Sequence, residues 1–380
     1  MLGRSLLALL GSISIAAAEG PAWPQFRGAA GDNVATSAQP TDWDESTVAW
    51  SIDLPGSGWS CPIVAGGRAF LTSATPTSGG AYRFEVHALD VATGKNLWTR
   101  VATQGTPRSP IHRDNSHATE TPVTDGRRVV AYFGMTGCFC FTVDGEPLWS
   151  KDLGVYAIAN DWGPSSSPVL VDGRVVLQID NEEQPHLVAL DIGSGEQQWR
   201  VDRPDERTNW STPLVWRNSL RTELVIGGKT VRSYDPATGA ELWSMPIGGR
   251  SSATASAAGD TLFIGSENRS QRGGTPGGLF AVSAGASGEL DVFDQSRPAE
   301  PVLWANHRGG IGISSPLVYD GLIYAPSRRR GVVAVHDAAT GAELSKSRIA
   351  GASTFWASPW AAAGRVFLLD ERGVTFVVEP

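Results

Sequence analysis

Hydrophobic and polar residues alternate with a period of two through short runs such as RVVLQI (174–179) and LIYAP (322–326), the mark of strands with one buried face. After residue 20 no stretch holds the 3.6-residue period of a useful helix, so the pattern predicts an all-β chain. Turns separate the runs, and glycine supplies many of them: 44 of the 380 residues are Gly, a fraction well above the roughly 7% of average usage.

The runs and turns recur as two phrases. The first is Asp-x-x-Thr/Ser-Gly followed by tryptophan: ALDVATGKNLW ending at Trp98, ALDIGSGEQQW at Trp199 and SYDPATGAELW at Trp243. Weaker copies are VDGEPLW ending at Trp149, an expanded stretch from Ala281 to Trp304, and VHDAATGAEL ending at Leu344. Asp caps such a turn through its side-chain oxygen, Gly supplies positive φ, and Trp places a large ring on the next strand where it covers a neighbouring unit. The second phrase is Ser/Thr-Pro-hydrophobic, a Gly turn and a hydrophobic strand. It falls at Pro62, Pro122, Pro168, Pro213, Pro316 and Pro359, with Ser256 in the equivalent place before GDTLFI. Spacings of 43–46 residues, with two of 60, suit a four-stranded propeller blade.

Seven units are visible, and the last, from Pro359, has about three strands and no tryptophan strand of its own. Residues 48–54 (VAWSIDL) read as an orphan outer strand that closes the ring by pairing the first and last units, because closure removes exposed sheet edges.

These phrases, repeated over nearly all of residues 48–380, resemble the PQQ-like β-propeller repeat with its tryptophan-docking pattern. The leader WPQFRGAAGDN (23–33) and the segment IHRDNSHATETPVTDGRRVVAYFG (111–134) look further like the exported PQQ-binding-like propellers of planctomycete-type bacteria. The resemblance implies an eight-bladed ring, as in quinoprotein dehydrogenases and the outer-membrane assembly propeller lipoprotein. Relatives commonly carry another blade beyond the position of Val378, so ring size and the partner of residues 48–54 stay open between seven and eight.

Arg4, an apolar run from Leu6 to Ala18 and A-x-A spacing at Ala16 and Ala18 read as a signal peptide cut after Ala18. The expected organisation is a signal peptide at 1–18, a leader at 19–47 and one propeller domain at 48–380, periplasmic or secreted. The first cysteine, Cys61, is far from the cut, which gives no support for a lipid anchor there. With 31 basic and 39 acidic side chains, net charge −8, there is no general basic field for nucleic acid, and no later run offers a transmembrane segment. Cys138 and Cys140 lie about 6–7 Å apart on one face of a strand, too far for an easy disulfide, and read as buried free thiols.

Candidate chemistry concentrates in the loops that enter each unit and in the loops between its second and third strands, which share one propeller face. The richest, 108–120, holds Arg108, His112, Arg113, Asp114, Asn115, His117 and Glu120. The same rim should carry Asn160, Asp161 and Trp162, Asp180, Asn181, Glu182 and Glu183, Arg207, Asn209 and Trp210, Arg250, His307 and Arg308, and Trp356. Trp162, Trp210 and Trp356 precede their prolines by six, three and three residues and offer stacking surfaces, or else pack between blades. Residues 180–183 bring oxygen ligands together but lack calcium-loop spacing, and the metal is left unknown. Arg328, Arg329 and Arg330 form a basic tip, and RGGTPGG (272–278) is a loop that opens no helix.

Other signatures are missing: G-x-S-x-G, HExxH, a P-loop and CxxCH. The favoured expectation is an exported, non-catalytic propeller that binds a protein, glycan or small molecule at its face, with no cofactor. The alternative is a quinoprotein alcohol or sugar dehydrogenase using PQQ with calcium, although quinoprotein dehydrogenases usually carry adjacent cysteines where this chain has Cys138-Phe139-Cys140. A third reading makes His112, His117 and Glu120 the acid/base groups of a carbohydrate-active enzyme.

Overall fold

A computed structural model describes residues 22–267, 269, 276–293, 300–327 and 329–379; the signal-peptide reading at 1–18, Arg328 and most of the glycine string at 272–278 lie outside them. Each Asp-x-x-Thr/Ser-Gly phrase is the expected turn. Asp90, Asp191, Asp235 and Asp337 each accept a 2.8 Å hydrogen bond from the backbone N–H three residues on.

These turns link the third and fourth strands of antiparallel sheets, and seven sheets follow one another along the chain. Their innermost chain-order strands are Ile63–Ala65, Val123–Thr124, Val169–Val171, Leu214–Arg217, Ser256–Ala258, Leu317–Tyr319 and Trp360–Ala362, one per blade. The described helices are single 3-10 turns. Buried apolar clusters join consecutive blades from 1–2 through 6–7. Cys138 and Cys140 are buried free thiols in the 2–3 core.

Tryptophan docking joins the outer rims. The indole N–H of Trp98, Trp149, Trp199 and Trp304 donates to Val143, Ile192, Pro236 and Ala338 in the turn of the following blade, at 3.0–3.1 Å. The turn glycine allows the ring to approach: Gly195 has φ +73°, and a Cβ there would stand 2.6 Å from the Trp149 ring. Two copies depart from the pattern. Ser345 stands where the sixth copy would have Trp, and Trp243 donates to the Glu223 carboxylate at 2.7 Å, beside the expanded fifth unit.

Closure differs from expectation. Residues 48–54 form no strand, and the last blade's sheet is completed on its inner edge by Val34–Ala35, parallel to Trp360–Ala362. Trp50 nonetheless takes the docking place on blade 1, donating to Val91 O at 2.8 Å against Gly94. The outer strand expected at 48–54 is thus absent, and only its tryptophan keeps the docking contact.

An inner belt runs through the blades. In blades 2 to 7 the residue before the landmark position presents a hydroxyl that accepts the backbone N–H of its counterpart one blade earlier: Cys61→Thr121, Thr121→Ser167, Ser167→Thr212, Thr212→Thr254, Thr254→Ser315 and Ser315→Ser358, all 3.0–3.1 Å. The belt corrects the fifth landmark by one residue, because Thr254 supplies the hydroxyl and Ala255, not Ser256, stands at the proline position.

The leader fills the channel inside this belt. Trp23 pairs with Val64, Thr124 N donates to Pro24 O, and Leu170 N donates to Gln25 Oε1. Gly31 abuts Leu214, and Asn33 contacts Pro359 and Ala361. Arg27, 2% exposed, donates to Ala255 O, Ser256 Oγ and Pro316 O at 2.9–3.0 Å. Burial lowers its guanidinium to about 10. Residues 23–35 therefore touch the inner strand region of every blade and close the channel with a floor.

Two substitutions test this frame by urea unfolding. Thr212→Val strands the buried Ser167 N–H and should cost about 1–3 kcal/mol, with Thr212→Ser restoring most of it. Arg27→Met should also destabilise by about 1–3 kcal/mol; no change would mean the leader is not part of the folded unit.

Candidate functional site

On the face opposite the Asp-x-x-Thr/Ser-Gly turns, the loops surround a cavity of about 500 Å³. Its lining follows the repeat. The residue three before each landmark proline, counting Ala255 in the fifth unit, is Trp59, Thr119, Ser165, Trp210, Ser252, Ile313 or Trp356, and all seven line the cavity. Each blade thus delivers one side chain to the centre, because the belt holds the following residues in register. With the leader below, the cavity is a cup and not a pore.

The remaining lining comes from irregular loops: Asp114, Asn115, Asn160, Trp162, Arg250, Glu267 and Arg269. Asn115 holds the Trp162 loop, donating from Nδ2 to Trp162 O at 2.7 Å and Pro164 O at 3.3 Å. His112 stacks on the Trp162 ring with centroids 3.9 Å apart. Trp210 donates to Gly163 O at 2.9 Å and has the Arg250 guanidinium 5.0 Å from its ring centroid. Trp356 donates to Glu371 Oε2 at 2.8 Å and is half exposed, as is Trp59. Glu267 accepts two N–H bonds from Arg269 at 2.8 and 2.9 Å and an O–H bond from the Ser252 hydroxyl, with Arg250 Nε at 4.0 Å.

Of the residues expected on the rim, Asp114, Asn115, Asn160, Trp162, Trp210, Arg250 and Trp356 meet in the cup, and His112 supports it by stacking on Trp162. The others do not join them. Arg113 points outward beside Asp114, and exposed Asp161 turns with φ +54°. His117 packs edge-on to Tyr82 in a separate depression with Arg108 and Ile111, and burial lowers its pKa. Asn181 is fully buried and closes its own loop, Glu182 accepts from Thr208, and Asn209 donates to Ser251 O. His307 and Arg308 line a different cavity, with Asp291 and Thr340.

Residues 180–183 do not converge as a cation site. Asp180 is buried against Arg203 in a two-armed ion pair at 3.0 and 3.2 Å, and Arg203 also donates to Tyr234 and Gly227 O. Among the described residues, no three His, Cys, Asp or Glu side chains gather as metal ligands.

Glu120 is 2% exposed with Oε1 lacking a hydrogen-bond partner, and desolvation lifts its carboxyl to about 8. It lines neither the cup nor the His117 depression, so the three proposed acid/base groups share no cavity.

Trp59, Thr119, Ser165, Ser252, Glu267, Arg269 and Ile313 were missed. Trp59 was legible, since it lies three residues before Pro62, as Trp210 and Trp356 lie before theirs. Glu267 and Arg269 carry no repeat signal and reach the cup by the path of one loop.

The fold and cup define a seven-bladed β-propeller with tryptophan-docked blades and a ligand-sized central depression. The chain belongs to the PQQ-like propeller-repeat family described as outer membrane protein assembly factor BamB, whose profile matches residues 18–120, 82–220 and 227–344. Among solved structures it is similar to BamB from Moraxella catarrhalis, at TM-score 0.52 and 18% identity over 82% of this chain and 79% of that one. It is also similar to a quinohemoprotein alcohol dehydrogenase from Comamonas testosteroni, at TM-score 0.46 and 12% identity over 92% and 76%. A curated relative, the serine/threonine-protein kinase AfsK of Streptomyces coelicolor, is 26% identical over 215 residues, 56% of this chain; the match spans 21% of that relative's length. Among the described residues, no helix is long and apolar enough to cross a membrane.

Glu120 generates a pH prediction. Its folded pKa of about 8 lies above the unfolded value near 4.5, so its contribution to stability is fully present below about 4.5 and is lost as pH rises through about 8. Glu120→Gln should match the wild type near pH 4.5 and gain on it by up to about 1.4 kcal/mol per pH unit towards pH 8 in urea unfolding. Parallel stability–pH curves would show that the carboxyl titrates normally in the fold.

Proposed function

We propose that this protein is an exported, non-catalytic binding propeller that holds its ligand or partner at the mouth of the central cup. One observation carries the reading: the same repeat position in all seven blades converges on a single floored depression. A channel that served only packing would be filled by the leader alone, whereas here four tryptophans and two ion-paired arginines surround open volume. Most titratable groups near the cup are engaged in holding loops. The expected acid/base trio is dispersed, which favours recognition over turnover.

The family's description as an outer-membrane assembly factor supports an exported location and a partner-binding role. The competing reading is a PQQ- and calcium-dependent alcohol or sugar dehydrogenase.

The test has two arms. Calorimetric titration of residues 19–380 with PQQ, with and without calcium, and dye-reduction assays with ethanol and glucose should both be negative; saturable calcium-dependent binding with dye reduction would replace this reading by the oxidoreductase. Thermal melts across millimolar panels of sugars, quinones and short peptides should show at least one class raising Tm, an effect lost in Trp59→Ala/Trp356→Ala. A panel with no such shift would overturn the binding reading.

A further inference from the structure

The ligand class follows from how the cup distributes charge and apolar surface, given that the cup is a binding site. Its lining holds two acids, Asp114 and Glu267, and two bases, Arg250 and Arg269, so the formal charges cancel. They are also compensated locally. Arg269 is spent on Glu267, Arg250 donates to Thr208 O beside the same carboxylate, and Asp114 has the Arg113 guanidinium 3.6 Å away. A polyanion such as a tricarboxylate quinone would meet no surplus of positive charge.

The apolar surface is presented as ring faces. The N–H groups of Trp210 and Trp356 are tied to Gly163 and Glu371; one face of Trp210 carries Arg250, and the half-exposed Trp356 presents its ring as accessible chemistry. Ile313, Trp356 and Trp59 are supplied by blades 6, 7 and 1, while Thr119, Ser165, Trp210 and Ser252 come from blades 2 to 5. The cup thus mixes both chemistries around its circumference: an apolar arc of Ile313, Trp356 and Trp59 faces the neutral hydroxyls of Thr119, Ser165 and Ser252, with Trp210 among them.

We infer that the cup binds an uncharged oligosaccharide. A pyranose ring has apolar C–H faces that pack on indole and a belt of hydroxyls that requires neutral polar partners, and the cup supplies both. Because the leader closes the far end, the glycan enters from one side and is recognised at a chain end. A continuous chain cannot thread the propeller.

The experiment is tryptophan-fluorescence and calorimetric titration of residues 19–380 with cellohexaose, maltohexaose and chitohexaose, beside oligogalacturonate and PQQ as anionic probes. At least one neutral hexasaccharide should bind with a Kd insensitive to salt. Trp162→Ala and Trp356→Ala should each weaken it on the order of tenfold, and Trp43→Ala, a change outside the cup, should not. Long polymer should bind no tighter per chain end than the hexasaccharide.

Tighter, salt-sensitive binding of oligogalacturonate or PQQ that is lost in the same variants would overturn the neutral-glycan inference and leave the binding reading intact. So would a peptide binding where no sugar does. Failure of every sugar and PQQ probe with the folded wild-type protein would overturn the neutral-glycan inference, and failure of the quinone and short-peptide Tm panel as well would overturn the binding reading.

Discussion

Backbone N–H to hydroxyl bonds from each blade to the next are the constraint on which the rest of the molecule depends. A propeller's innermost strands converge on an axis where their donors cannot all reach a neighbour in the same sheet, and an unpaired buried N–H costs as much as a lost hydrogen bond. Placing Ser or Thr before the proline meets this demand six times in succession, from Cys61 to Ser358. The proline that follows has no N–H to satisfy. The belt thereby sets the radius and register of the inner strands, and with them the position of every residue a few places upstream.

The cup is a consequence of that register. The residue three places before the proline must point to the axis in every blade once the belt is formed, whatever its identity. Three of the seven positions are tryptophan and three are small hydroxyl residues, so chemistry varies freely on a fixed frame. The outer rim is held by a different device, the tryptophan ring on a neighbour's turn glycine. Where the fifth unit is expanded the device is lost, and Glu223, buried between Ser233 and Trp243, takes the indole N–H.

Polarity near the centre is mainly structural. The two-armed Asp180–Arg203 pair, the Glu206 carboxylate held by Lys229 N, Thr230 N and Arg232, and the Asn181 loop closure are buried and mutually satisfied. Such groups are costly to bury singly and stable only as connected sets. This is why a list of polar residues in entering loops overstated the site: Asn181, Glu182, Asn209 and Glu120 belong to the walls, and only those on the axis side reach the open volume.

The periodic part of the molecule was determined by the sequence alone: strands from two-residue alternation, turns from Asp and Gly, tryptophan docking, and seven repeat units from the spacing of the prolines, whereas the choice of a seven-bladed over an eight-bladed ring came from the structure. Those features arise from local chemistry repeated in register, which a linear reading can see. Only the tertiary structure decided the rest. The leader's passage through the channel joins Arg27 to groups more than two hundred residues away, the closing strand is Val34–Ala35 and not 48–54, and Glu267 and Arg269 enter the cup beside Trp210. Each of these depends on which surfaces remain unpaired after the blades assemble, and that is settled by three-dimensional packing among residues whose separation along the chain carries no periodic signal.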